Sequence, residues 1–162
     1  MYTKGRKPEK GIAVVEFTIV STVLLLLILS VASIGYYMYS LQTLNNMTRK
    51  AARLAAVCNT SVASQTGIIT SVIDENAPSD FTQQNLVIEY LDASSTITST
   101  FDDIRYVRAR ITDYSYQFTA VLSFLGDSGL VETPEFETTL PAENLGVIRP
   151  NKNDADGSNT DC

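Results

Sequence analysis

The sequence predicts an α+β fold. One long N-terminal helix crosses a membrane with its first half and packs its second half on a small antiparallel sheet. Three observations carry this expectation. Residues 17–39 contain no charged side chain, and such a run is long enough to cross a hydrocarbon core of about 30 Å as a helix. The next segment, "SLQTLNNMTRKAARLAAVC", keeps apolar residues at three-and-four spacing without an interrupting proline. Further on, short runs of alternating apolar and polar residues are bounded by Gly, Pro, Asn, Asp and Ser, as strands are.

Taken in order, residues 1–11 form a basic leader, with Lys4, Arg6, Lys7 and Lys10 opposed only by Glu9. Residues 12–39 are the membrane segment, closed by Tyr36, Tyr37 and Tyr39, whose amphipathic rings suit a membrane–water interface. Residues 40–58 continue the same helix: Leu41, Leu44, Met47, Ala51, Ala55 and Cys58 share one face, while Gln42, Asn46, Arg49, Lys50 and Arg53 gather on the other. A helix from about residue 13 to 57 would be about 68 Å long.

An α+β domain fills residues 59–150. It opens with a short helix around 66–76 and a loop at Ala77–Asp80. "QQNLVIEYLD" follows as a strand, with Leu86, Ile88 and Tyr90 on one face. "ASSTITST" is turn-rich and has room for a short strand. In "IRYVRARITDYSYQF", Val107, Ala109 and Ile111 alternate with Arg108, Arg110 and Thr112. The aromatic residues Tyr114, Tyr116 and Phe118 then fall out of phase, which predicts two strands, a bend or a bulge. "TAVLSFLG" reads as a short amphipathic turn or helix ended by Gly126–Gly129, and "LVETPEFETTL" as an edge strand limited by Pro134. Residues 151–162 form a polar tail.

Charge sets the orientation. From residue 41 onward there are 8 basic and 16 acidic residues. The short basic flank therefore stays on the cytoplasmic side and the larger acidic part is exported. A net charge of this sign supplies no phosphate-neutralising patch, which argues against a nucleic-acid partner. With no histidine in the chain, His-based zinc sites and histidine-dependent nucleophiles are excluded. No phosphate-cradling glycine motif is present. Asp102-Asp103 and Asp154/Asp156 are carboxylate pairs of the sort common in solvated loops, and the latter pair misses the calcium-loop pattern. The chain reads as a non-enzyme with no cofactor.

One acidic residue, Glu16, stands at the front edge of the apolar run. At the centre of a bilayer it would cost several kcal/mol; in a helix beginning at Ile12 it lies only about 7 Å along the axis, within reach of headgroups or water. A negative side chain near a helix start is also favourable by itself. Gly11, the following "IAVVE" and Phe17 resemble a prepilin processing site, at which a membrane peptidase cuts after the glycine. The wider segment from Gly11 to about Ala56 resembles the amino-terminal segment of the TadE-like family, minor pseudopilins of the tight-adherence (Flp) pilus system. The Glu16-Phe17 pair suits that branch, while Ile12 stands where the usual type IV start has phenylalanine.

The resemblance implies a pilin-like fold and removal of the leader between Gly11 and Ile12 by a prepilin-type peptidase. It also implies that the new Ile12 ammonium meets Glu16 of a neighbouring subunit, with Phe17 beside it at the assembly surface. Partners would be other pilins or minor pseudopilins, the inner-membrane assembly platform and membrane lipid. The location would be the bacterial inner membrane, with a single pass, an extracytoplasmic C-terminal domain and incorporation into a pilus serving adhesion and biofilm formation.

Two alternatives stay open: a single-pass extracytoplasmic binding module unrelated to a pilus, and a secreted domain cut after the apolar run near Gly35. Cys58 and Cys162, exported to an oxidising compartment, form a candidate disulfide. A buried free Cys58 with an exposed Cys162 thiol is the other possibility.

Overall fold

The structure, a computed structural model, describes residues 10–73, 77–118, 122–124 and 128–147, with the backbone alone for 10–12. The basic leader up to Glu9, Asp154, Asp156 and the 151–162 tail lie outside the described residues. Helix α1 spans Lys10–Val57, 48 residues and about 72 Å. It runs through Gly11, where the sequence reading had begun the helix two residues later. A glycine costs a helix only about 1 kcal/mol relative to alanine, and less at its fraying end.

Among the described residues five strands follow, sorted into two sheets. Strands β1 (Leu86–Leu91), β2 (Tyr106–Ile111) and β5 (Glu137–Pro141) make a three-stranded antiparallel sheet in the order β1-β2-β5. Strands β3 (Ser115–Gln117) and β4 (Leu130–Glu132) make a separate hairpin. The phase slip after Ile111 is thus a change of sheet, and it falls at Asp113, whose φ is +53°. Residues 130–140, read as one edge strand, divide at Pro134: β4 joins the hairpin and β5 becomes an edge of the larger sheet. Proline cannot donate to a ladder, so the break falls where pairing is lost.

Helix α2 (Val62–Val72) starts earlier than expected because Ser61 caps it, its Oγ accepting from the Ser64 N–H at 3.2 Å. The turn-rich link between β1 and β2 contributes a single bridge, Leu91 to Ile97.

The register explains the core. Leu86 faces Ile111, Ile88 faces Ala109, and Tyr90 faces Val107 across β1 and β2; Thr138 and Leu140 of β5 continue the same face. That face lies on the second half of α1, whose Leu44, Met47, Ala51 and Ala55 are buried, as is Cys58 just beyond it, while Leu41 of the predicted stripe is half-buried. Ala52, Ala56 and Thr48 are buried with them. Alanines bring the sheet close to the helix backbone, and the close approach gives Thr48 a hydrogen bond of 3.2 Å to Thr138 on β5. Arg49, Lys50 and Arg53 are exposed on the opposite side.

Among the described residues two buried side-chain hydroxyls, those of Ser64 and Tyr90, lack a hydrogen-bond partner. A buried hydroxyl left unsatisfied forfeits its hydration without return. Tyr90→Phe is expected to raise stability by about 1 kcal/mol, seen as a higher denaturant midpoint at unchanged slope.

Of the expected Cys58–Cys162 disulfide, only Cys58 is among the described residues, and Cys162 lies outside them. Main-chain hydrogen bonds attach the later chain to the end of α1. The Glu143 and Leu145 N–H groups donate to the Ala56 carbonyl at 3.1 and 3.3 Å, and Gly146 donates to Val57 at 2.7 Å. Carbonyls in a helix's last turn have no partner within the helix, so these bonds satisfy groups that need them.

Candidate functional site

The first half of α1 is where sequence and structure place the candidate chemistry. Its large apolar residues from Val14 to Tyr39 project from the fold, with Phe17 73% and Val31 71% exposed. A contiguous apolar surface of this size requires a partner or a lipid phase. The helix is long and apolar enough to cross a membrane, with mean hydropathy 2.5 in its most apolar window and none of that window buried. Its hydroxyl side chains are satisfied within the helix. Thr18 donates to Val14 O at 2.8 Å, Thr22 to Thr18 O at 2.7 Å, Ser30 to Leu26 O at 2.8 Å and Ser33 to Leu29 O at 2.9 Å. In hydrocarbon such closure is what makes a hydroxyl tolerable. The arrangement is that of a single N-terminal membrane-spanning helix carrying a folded domain beyond the membrane.

Gly11 and Ile12 lie in the first turn of α1, and Glu16 and Phe17 follow on the exposed helix surface. Nothing else in the described fold approaches them. Glu16 and Phe17 are exposed there, in the half of α1 that precedes the residues packed on the sheet.

The three tyrosines divide. Tyr36 and Tyr39 are about half exposed, with rings 6.3 Å apart. Tyr37 turns inward: its ring lies 5.0 Å from Tyr116 and 5.2 Å from Phe118, centroid spacings typical of favourable aromatic pairs. Tyr116 in turn lies 6.3 Å from Tyr36 and edge-on to Phe118 at 5.1 Å. This cluster fastens the β3–β4 hairpin to α1, a role that the local tyrosine pattern did not reveal. The signal was present in the out-of-phase Tyr114, Tyr116 and Phe118.

Beside the cluster a cleft of about 330 Å³ opens between Leu29, Ala32, Ser33 and Tyr36 of α1 and Tyr114, Tyr116, Gln117 and Phe118. Burial, followed by the neighbouring Tyr116, Asp80 and Tyr36, pushes the Tyr114 hydroxyl up to about 12. It therefore remains a donor, to the Ser79 carbonyl at 3.1 Å. Among the described residues no group of three or more Cys, Asp or Glu side chains is placed to hold a metal ion.

The TadE-like protein family matches residues 11–53, which is α1 from the glycine to within a turn of its end. Over this segment the chain is similar to the TadE-like family. The similarity supports a general role in pilus assembly, and residues 54–162, with the whole sheet, lie outside the match. No curated protein and no solved structure matches the chain. The TadE-like segment thus contains the apolar half of α1, the Glu16 cluster and the stripe that packs on the sheet as far as Ala52.

Proposed function

We propose that this TadE-like chain is a minor pseudopilin, a non-catalytic structural subunit that supports assembly or initiation of a tight-adherence (Flp) pilus. One observation carries the reading. Gly11 and Glu16 stand five residues apart at the head of an unburied apolar helix, inside the TadE-like segment. Removal of residues 1–11 by a prepilin-type peptidase leaves Ile12 with a free amine, which titrates near pH 8 in its unperturbed state and so is largely protonated at neutral pH. On an adjacent subunit that ammonium neutralises Glu16, removing the energetic objection to a carboxylate at the membrane edge. Phe17 and the exposed apolar side of α1 pack laterally against other pilins, while the acidic domain faces minor partners and the assembly platform.

The test is the amino terminus and intact mass of the membrane-extracted protein, from cells with and without the prepilin-type peptidase. A chain beginning at Ile12 only when the peptidase is present is the expected result, and Gly11→Val should abolish that processing. Full-length chain in both strains sinks the reading in favour of a single-pass binding module.

A further inference from the structure

The folded domain does not stand clear of the apolar helix. A span of about 20 residues crosses the hydrocarbon core, so one that begins at Ala13 ends near Ser33 and one that begins at Phe17 ends near Tyr36. The cleft between α1 and the β3–β4 hairpin is lined by Leu29, Ala32 and Ser33. The hairpin therefore reaches at least to the level at which the helix leaves the membrane, and by way of Leu29 about one turn below it.

The same hairpin presents apolar side chains to the outside. Phe124, in the turn before β4, is 75% exposed, and Leu130, the first residue of β4, is 45% exposed. Gly129 lies close to both Phe118 and Ser123: the Phe118 N–H donates to the Gly129 carbonyl at 2.7 Å, and a Cβ on Gly129 would lie 3.2 Å from Ser123 Cα. Phe124 is thus carried on the module whose Tyr116 and Phe118 are fastened to Tyr37.

We propose that the β3–β4 hairpin is a second membrane contact, with Phe124 and Leu130 seated in the interface of the outer leaflet beside α1. The inference rests on α1 spanning the membrane. Lipid is the occupant because Gln117, which pairs with Leu130, lines the cleft with Leu29 and Tyr36, so this exposed apolar pair is carried at the level where α1 leaves the hydrocarbon core and where tyrosine rings favour the interface. The domain then lies down on the bilayer before assembly, and leaving the membrane requires the hairpin to be withdrawn along with the helix.

The chain has no tryptophan, so a single substitution provides a unique fluorescent reporter. The full chain is reconstituted in phosphatidylcholine vesicles with or without brominated acyl chains, carrying Phe124→Trp, Leu130→Trp, Leu26→Trp or Phe101→Trp. Leu26 lies within the span. Phe101 lines a groove with Leu145 and Val147, beside the segment bonded to the far end of α1. Trp at 124 and at 130 is expected to lose roughly half its emission to bromines near the top of the acyl chains, about 5–10 Å below the surface. Trp at 101 should be quenched by aqueous iodide and not by bromine.

Quenching of Leu26→Trp without that of 124 and 130 overturns the proposal while leaving the span intact. Loss of quenching at 26 as well refutes the span, and the proposal with it. Emission at 124 shielded from both quenchers would mean a protein partner, here a second copy, and would also overturn it.

Discussion

Glu89→Ala is expected to destabilise the protein by about 3 kcal/mol, a large fraction of the 5–15 kcal/mol that holds a typical domain. Glu89 lies on β1 opposite Arg108 of β2, on the sheet face turned away from α1, yet its side chain is only 8% exposed. Both carboxylate oxygens are occupied. Arg108 Nε donates to Oε2 at 2.7 Å and Arg110 Nε to Oε1 at 3.0 Å, each guanidinium adding a second contact through Nη2. Two planar forks on one carboxylate make a directional, charge-assisted network, and cross-strand pairs of this kind fix register.

The expected losses are unequal. Removing Glu89 leaves two cations side by side, with Arg108 keeping only a 3.9 Å contact to the half-exposed Glu137. Arg110→Ala removes a half-exposed partner, 41% accessible, and leaves Arg108 in place, so about 1 kcal/mol is expected. Glu89→Gln should fall between, because its amide turns a donor toward donors. Denaturation of the full chain in detergent checks the order. Equal losses for Glu89→Ala and Arg110→Ala would mean that the network behaves as a surface pair.

That network shows what local sequence could and could not reveal. Alternation along β2 placed Arg108 and Arg110 on the face opposite Val107, Ala109 and Ile111, and periodicity alone recovers that much. Glu89 was one polar residue in an otherwise apolar strand; its importance depends on a register that brings it opposite residues 19 and 21 positions away. The helix was legible because its information is local. The run without charge, the Leu44–Cys58 stripe and the Gly11–Glu16 spacing each lie within a few turns of one element.

The two-sheet division was half legible. The aromatic phase slip announced a break, but only tertiary packing of Tyr116 and Phe118 on Tyr37 decides that the chain changes sheets there. Tyr37 itself read as a membrane-belt residue because, along the helix, it differs from Tyr36 and Tyr39 only in direction. The cap on α1 was the least legible feature: its donors lie beyond residue 142, and no helix-stop signal near Val57 points to them.

Gly146→Ala is expected to be costly, by about 3 kcal/mol, at the junction of helix and domain. Asn144–Val147 form a tight turn, the Val147 N–H donating to the Asn144 carbonyl at 2.8 Å. Both central residues have positive φ, +46° at Leu145 and +79° at Gly146, the pattern of a type I′ turn. A side chain at 146 is strained by that backbone angle and has no room. Its Cβ would stand 2.6 Å from Asn59 N and 2.8 Å from Asn59 Cα, backbone atoms that cannot swing aside. To relieve the clash, the turn must lift from the helix end, breaking the Gly146 and Leu145 hydrogen bonds to Val57 and Ala56 and exposing Leu145, now 5% accessible.

Gly35→Ala provides the comparison. Gly35 lies inside α1 with nothing within 4 Å of its missing Cβ, so alanine there should be neutral or gain about 0.5–1 kcal/mol from helix propensity. Denaturation and amide exchange at residues 54–58 separate the two. Lost protection at the end of α1 in Gly146→Ala, with none in Gly35→Ala, identifies the turn as the clamp. Retained protection at 54–58 would mean that the last turn of α1 holds itself, and that load between the membrane helix and the domain passes through the Thr48, alanine and Tyr37 contacts.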